Sequence, residues 1–451
     1  MIRTMKAIIA IITSILAYIT AVTILGLPVV SSVVLGLTLL LLIQSAFATY
    51  TMLYSFLDKR NLKSLRPPKQ NFARKYEHTF SLLVPARHEE KVIGDTLKAM
   101  AKLDYPKNLY EVLVLVRSDD TKTINKVNET LNQLGRETFR LITIDGEPIN
   151  KPGALNLGLH FAQNEIVGVF DAEDEPHPEI LKNVDATLTK RKVDVVQAGI
   201  QLVNVDDHWF SALNCLEYYY WFKSILPFFA KHGVIPLGGN TVFIKKNAVR
   251  EVGGWDDDCL TEDADIGIKL SAAGCKTAAI YDEKLATLEE TPVNTAEFIR
   301  QRTRWAQGYF KILLKGDWLK FGSLKEQLLL FYVLSYMLVR QISAVAMVLL
   351  PVFSLLVKVS IPLALFSFAP AYFLFLQWGL GVIGLLQLRK NYNLNFSLLA
   401  VGDALTFYFP YQLALFVASL RALNRLNWGL YGWEKTVHLN SHRLAVLGRL
   451  G

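Results

Sequence analysis

"EIVGVFDAEDEPHPEIL" (Glu165–Leu181) sets four acidic residues, Asp171, Glu173, Asp174 and Glu175, directly after a short apolar run. The run, Glu165–Phe170, reads as a buried strand, and the carboxylates sit at its tip. Paired carboxylates there suit a hard divalent cation, Mg2+ or Mn2+, which takes oxygen ligands and keeps water and substrate phosphates in its shell. Taken alone, the stretch reads equally as a solvated acidic loop. "HPEI" then opens the next helix, with Pro178 at an early helical position.

Working outward, "TFSLLVPA" (Thr79–Ala86), "YEVLVLV" (Tyr110–Val116) and "FRLITI" (Phe139–Ile144) repeat the strand pattern. Charged, helix-like stretches such as Glu89–Leu103 separate them. That alternation predicts an α/β domain with a mainly parallel sheet and helices on both faces. Ligands of such sheets bind beyond the carboxyl ends of the strands. "DAED" lies at such an end, and so does "RSDDTKT" (Arg117–Thr123).

The chain has 451 residues, 52% of them apolar, and a formal net charge of +8. The apolar excess is concentrated. Ala7–Gly26 and Val33–Leu57 are each long enough to cross a hydrocarbon core of ~30 Å. Arg3 and Lys6 precede the first, and "DKRNLKSLRPPK" (Asp58–Lys69) follows the second, so the positive-inside rule puts everything after Asp58 in the cytoplasm. Leu324–Val357 and Ile361–Leu388 are further spans. Asp403, Pro410 and Gln412 interrupt Leu398–Leu420, which is expected to lie in the interface as an amphipathic helix. The result is four spans with both termini inside. The domains expected are an anchor at 1–57, a basic linker at 58–75, the α/β domain at 76–305, interfacial and spanning helices at 306–420 and a basic tail at 421–451.

Three cysteines without CxxC spacing give neither a zinc site nor a disulfide framework. "GLGVIG" (Gly379–Gly384) lies within an apolar run and reads as helix-packing glycine. The basic residues cluster at membrane flanks, with no basic stripe of interleaved aromatics, so nucleic acid is not an expected partner.

Two more motifs carry chemistry. In "TEDADIGIKL" (Thr261–Leu270), Thr261 caps a helix whose first turn holds Glu262 and Asp263, or else a carboxylate there serves as a general base aimed at the cleft. "QRTRW" (Gln301–Trp305) reads as a basic helix at the lipid surface. Its other reading is a cation for a phosphate leaving group, Arg304, beside an indole that stacks on a sugar, Trp305.

In order along the chain stand "VPARHEE", "SDD", "KPGALN", "DAED", "GGN", "TED" and "QRTRW", between two membrane blocks. This arrangement resembles the family 2 processive glycosyltransferases, the group of cellulose, chitin and hyaluronan synthases. The resemblance implies a cytoplasmic GT-A domain flanked by transmembrane helices in the plasma membrane. It implies a UDP-sugar donor, a polysaccharide or glycolipid acceptor, and room for accessory subunits. On this resemblance Pro85, Glu89, Asp119 and Asp120 hold the nucleotide, and Lys151 lies beside it. Asp171 with Glu173 or Asp174 binds Mg2+ or Mn2+. Asp263, next to Glu262, is the general base, and Gln301, Arg304 and Trp305 place the acceptor and the diphosphate. "GWEKT" (Gly432–Thr436), with Lys435 and Thr436, is similar in placement to a gating loop. The implied reaction is metal-dependent, inverting transfer to a growing β-linked polysaccharide, coupled to export. Its alternative is transfer of one sugar to a lipid-linked acceptor.

Overall fold

A computed structural model describes Thr20, residues 28–68, 76–135, 137–395 and 398–430, and Gly432. The first expected span, Ala7–Gly26, apart from Thr20, and the part of the expected tail beyond Leu430, apart from Gly432 and including Lys435 and Thr436, lie outside the described residues.

Seven strands form the central sheet: β1 (Phe80–Ala86), β2 (Tyr110–Arg117), β3 (Phe139–Ile144), β4 (Ile166–Val169), β5 (Val195–Gln197), β7 (Val242–Lys245) and β8 (Thr277–Ala279), in the order β3-β2-β1-β4-β7-β5-β8. A short parallel pair, β6 (Ile200–Leu202) and β9 (Thr287–Glu289), stands apart. The four strands read from sequence appear within a few residues of their expected ends. Both faces of the sheet are covered, which is why these strands are apolar throughout rather than alternating with polar residues. Phe80, Leu82, Val84, Val112, Val114 and Val116 enter one core. Leu83, Leu113, Leu115, Val167 and Val169 enter the other, which continues into the apolar helices through Met347, Leu374 and Leu385.

One strand departs from the parallel rule. β7 runs antiparallel to both β4 and β5. Its first residues therefore lie at the carboxyl end of β4, where Thr241 donates its N–H to the Val169 carbonyl at 2.7 Å. The reversal carries "GGN" to the tip where "DAED" begins.

Helix α1 (Val29–Leu57) is the first described candidate span; α2 (Lys151–Phe161) backs the sheet, and α3 (Ser211–Tyr220) continues through a π turn, Trp221–Ile225. Helix α4 (Glu262–Ala272) precedes α5 (Thr295–Lys315), which crosses the expected 305/306 boundary unbroken. Helix α6 (Leu324–Leu356) opens on a Ser323–Glu326 capping box and α7 spans Ala369–Asn391. Val29–Leu57, Leu324–Leu356 and Ile361–Asn391 are long and apolar enough to cross a membrane. In α7 Gly384 packs closely, since a Cβ there would stand 2.6 Å from the Tyr220 hydroxyl.

Three local expectations need correction. The segment read as one interfacial helix is two, α8 (Leu398–Thr406) and α9 (Tyr408–Asn427), joined at Phe407, and α9 lies along α5. The helix after "DAED" starts at Ile180 rather than at Pro178, whose carbonyl instead accepts from Asp104 N–H at 2.8 Å. Thr261 occupies the N-cap position of α4 but its side chain does not cap. It packs on Gly308 of α5 so closely that a Cβ there would meet its hydroxyl at 2.3 Å.

Candidate active site

Two cavities open beyond the strand ends. The outer one, about 360 Å3, is bounded by Pro85 at the end of β1 with His88 and Glu89 beyond it, Arg117 at the end of β2, and Ile149 and Asn150 before α2. The inner one, about 200 Å3, is bounded by Asp263 from α4, Gln301 and Trp305 from α5, and Tyr218 from α3. Lys151, Asp171, Glu173 and Arg304 line both. The two spaces share that wall.

Lys151 enters at the first position of α2, whose N-cap Asn150 accepts from Gly153 N–H at 2.9 Å. Its ammonium donates to the Asp171 carboxylate and to the Gly239 carbonyl at 2.9 Å, and lies 3.7 Å from Glu262. Burial opposes that charge, but Asp171 and Glu262 outweigh it and hold the pKa of Lys151 above its ordinary value. Burial pushes the Glu262 carboxyl up to about 7, against the pull of Lys151. Burial also raises Asp263, which stands beside Gly239 on the inner cavity. Arg304 is depressed by burial although Glu262 and Asp171 favour its charge.

Glu173 lines both cavities, whereas Asp174 is fully buried. Its carboxylate accepts from Asn240 Nδ2 at 2.8 Å and from Asp171 N–H at 2.7 Å. Burial, then Glu289 and Asp171, raise its pKa well above the carboxylate range. Asp174 thus shapes the turn that presents Asp171 and Glu173. Asp120 is buried as well: it caps the Thr121–Leu134 helix and accepts from His88 N–H, fixing the turn after β1 at a positive φ of 56°. Asp119 lies outside both cavities and pairs with Arg117 at 3.4 Å.

Among the described residues no three His, Cys, Asp or Glu converge as a preformed metal site. The inner cavity nevertheless carries seven carboxylate residues against Lys151, Arg302 and Arg304. That excess fits a divalent cation held by one or two carboxylates together with substrate phosphates, the usual arrangement for Mg2+.

Two contributors were missed in the sequence. Asn240 links Asp171, Asp174 and Glu289. "GGN" was visible in the sequence, but its role depends on the direction of β7. Arg302, inside "QRTRW", is buried, pairs with Glu217 at 2.8 Å and stands 4.4 Å from the Trp305 ring centroid, so it sets the indole plane. Gln301 is 9% exposed and its Oε1 makes no hydrogen bond among the described residues. A buried acceptor without a donor is costly, and a substrate hydroxyl would satisfy it.

Residues 78–308 match the family described as "Glycosyltransferase like family 2", and residues 242–393 match "Cellulose synthase". A β-monoglucosyldiacylglycerol synthase of Nostoc sp. is 29% identical over 272 residues, 57% of this chain and 56% of that protein. The chain thus spans little more than half the length of that relative. A probable glycosyltransferase of Bacillus subtilis is 26% identical over 80% of this chain and 87% of its own. A mannosyltransferase from Pyrobaculum calidifontis, solved with GDP-Man and Mn2+, superposes with a TM-score of 0.55 at 19% identity, covering 86% of this chain and 99% of that one. At that identity the likeness concerns the fold.

Proposed function

This chain belongs to glycosyltransferase-like family 2, and from that premise we propose that it moves a sugar from a nucleoside-diphosphate sugar, a UDP-sugar in the first instance, to an acceptor hydroxyl presented from the membrane. The shared wall of the two cavities carries this reading. A donor whose nucleotide fills the outer cavity has its diphosphate at Lys151 and Arg304 and its sugar in the inner one.

Asp263 takes the proton of the acceptor hydroxyl as its oxygen attacks the anomeric carbon. The bond from that carbon to the phosphate oxygen breaks on the opposite face, the nucleoside diphosphate leaves, and the anomeric centre inverts. Lys151 and Arg304 offset the charge growing on the leaving phosphate. Asp171 and Glu173 would hold Mg2+ or Mn2+, which when bound neutralises further phosphate charge. Trp305, its plane fixed by Arg302, gives the acceptor sugar a face to stack on, and Gln301 Oε1 accepts one of its hydroxyls.

Repeated transfer into a β-linked polysaccharide, with export, is supported by the cellulose synthase match over 242–393. Single transfer to a lipid-linked acceptor is favoured by the likeness to a glycolipid synthase. Membranes carrying the full chain, incubated with labelled UDP- and GDP-sugars and Mn2+, Mg2+ or EDTA, decide between them by product size. Lack of turnover and of nucleotide binding with every donor would overturn the assignment.

A further inference from the structure

The apolar helices enclose a third chamber, of about 100 Å3. α1, α3, α6, α7, α8 and α9 wall it, and it meets the inner cavity at Glu217, Trp221 and Tyr336. A chamber that served packing alone would have aliphatic walls. This one holds Arg340, which lies within the apolar span Leu324–Leu356. An ionisable residue in a spanning helix marks a functional site by default, because it is kept there against a desolvation cost.

Among the described residues no carboxylate pairs with Arg340. Its guanidinium donates to the neutral hydroxyls of Tyr336 and Tyr408 and stands 5.3 Å from the Tyr336 ring. The carboxylate nearby, Glu217, is taken by Arg302 at 2.8 Å and by the Tyr411 hydroxyl. Two more lining groups have polar atoms without a hydrogen-bond partner among the described residues: the Trp378 indole N–H and Gln412 Oε1, with Gln412 only 8% exposed. A cation and a free N–H donor call for anionic oxygen, and a free amide oxygen calls for a hydroxyl.

We propose that this chamber binds the phosphate headgroup of a membrane lipid, with Arg340 as its counter-ion, and that this lipid brings the acceptor hydroxyl toward the inner cavity. The inference rests on the proposed transfer to a membrane-presented acceptor. A soluble anion would reach Arg340 only through the inner cavity, whose Lys151 and Arg304 wall is taken by the donor diphosphate in the proposed transfer. A lipid headgroup arrives between the helices while its acyl chains stay in hydrocarbon.

The test is binding of dioctanoyl phosphatidic acid to the purified full chain in neutral detergent, with dioctanoylglycerol, octyl glucoside and inorganic phosphate as comparisons. Phosphatidic acid is expected to bind well above all three. Arg340→Gln should weaken it about tenfold or more, Arg340→Lys should retain most of it, and nucleotide binding should be unchanged in both. Wild-type affinity in Arg340→Gln overturns the proposal, as does equal binding of octyl glucoside, which would make the chamber a neutral sugar site. Equal binding of inorganic phosphate would assign it to a soluble anion. Loss of nucleotide-sugar binding in the wild type would sink the transfer reading separately, leaving the lipid titration interpretable.

Discussion

Asp263 and Glu262 are adjacent, yet their surroundings divide their roles. Both line the inner cavity, but Glu262 is 4% exposed and faces Lys151, whereas Asp263 is only half-buried. Asp263→Asn should lower transfer by about 10²–10⁴-fold, the range for losing a general base, with donor binding retained. Full activity in that variant would remove Asp263 from the mechanism. Because burial raises its pKa and the base must be ionised, activity should fall as pH drops, with a midpoint above the ~3.9 of a free aspartate. A pH–rate profile checks this, and a midpoint at or below that value would contradict it. Asn240→Ala strips a donor from the buried Asp174 and should cost about 1–3 kcal/mol of stability, read as a lower unfolding midpoint. Lys151, Asp171 and Asp263 were legible as single letters in motifs. Asn240 and Arg302 were not, since the carboxylates they hold, Asp174, Glu289 and Glu217, lie 49 or more positions away in the chain.

Strands β1 to β4 were legible because each is a short apolar run between polar stretches, and burial on both faces demands that; β5 to β9, three or four residues each, were too short to stand out. The direction of β7 was not legible either, because a four-residue apolar run looks the same in either orientation. The break at Phe407 was hidden for a similar reason: the apolar run continues across it from α8 into the first turns of α9. Helices α4 and α5 meet where Gly308 receives Thr261, an approach that only the absence of a Cβ allows. Gly308→Val should force them apart, costing about 1–3 kcal/mol and moving Gln301, Arg304 and Trp305 relative to Asp263. A variant that melts and turns over like the wild type would show that this contact positions nothing.

At the scale of the whole molecule, the three candidate spans predict that the chain stays with membranes through a carbonate wash at high pH. Release into the supernatant would count against integral insertion. Chelation by EDTA should abolish transfer, with Mg2+ or Mn2+ restoring it, as the carboxylate excess of the inner cavity leads one to expect. Unchanged turnover in EDTA would leave Lys151 and Arg304 as the only neutralising groups at the diphosphate.

The wall formed by Lys151, Asp171, Glu173 and Arg304 has a thermodynamic corollary. Whatever occupies one side changes the field felt on the other, so the two substrates cannot bind independently. If a bound donor alters acceptor affinity by some factor, a bound acceptor must alter donor affinity by the same factor. Four side chains thus make donor and acceptor each other's effectors, without any movement of the fold.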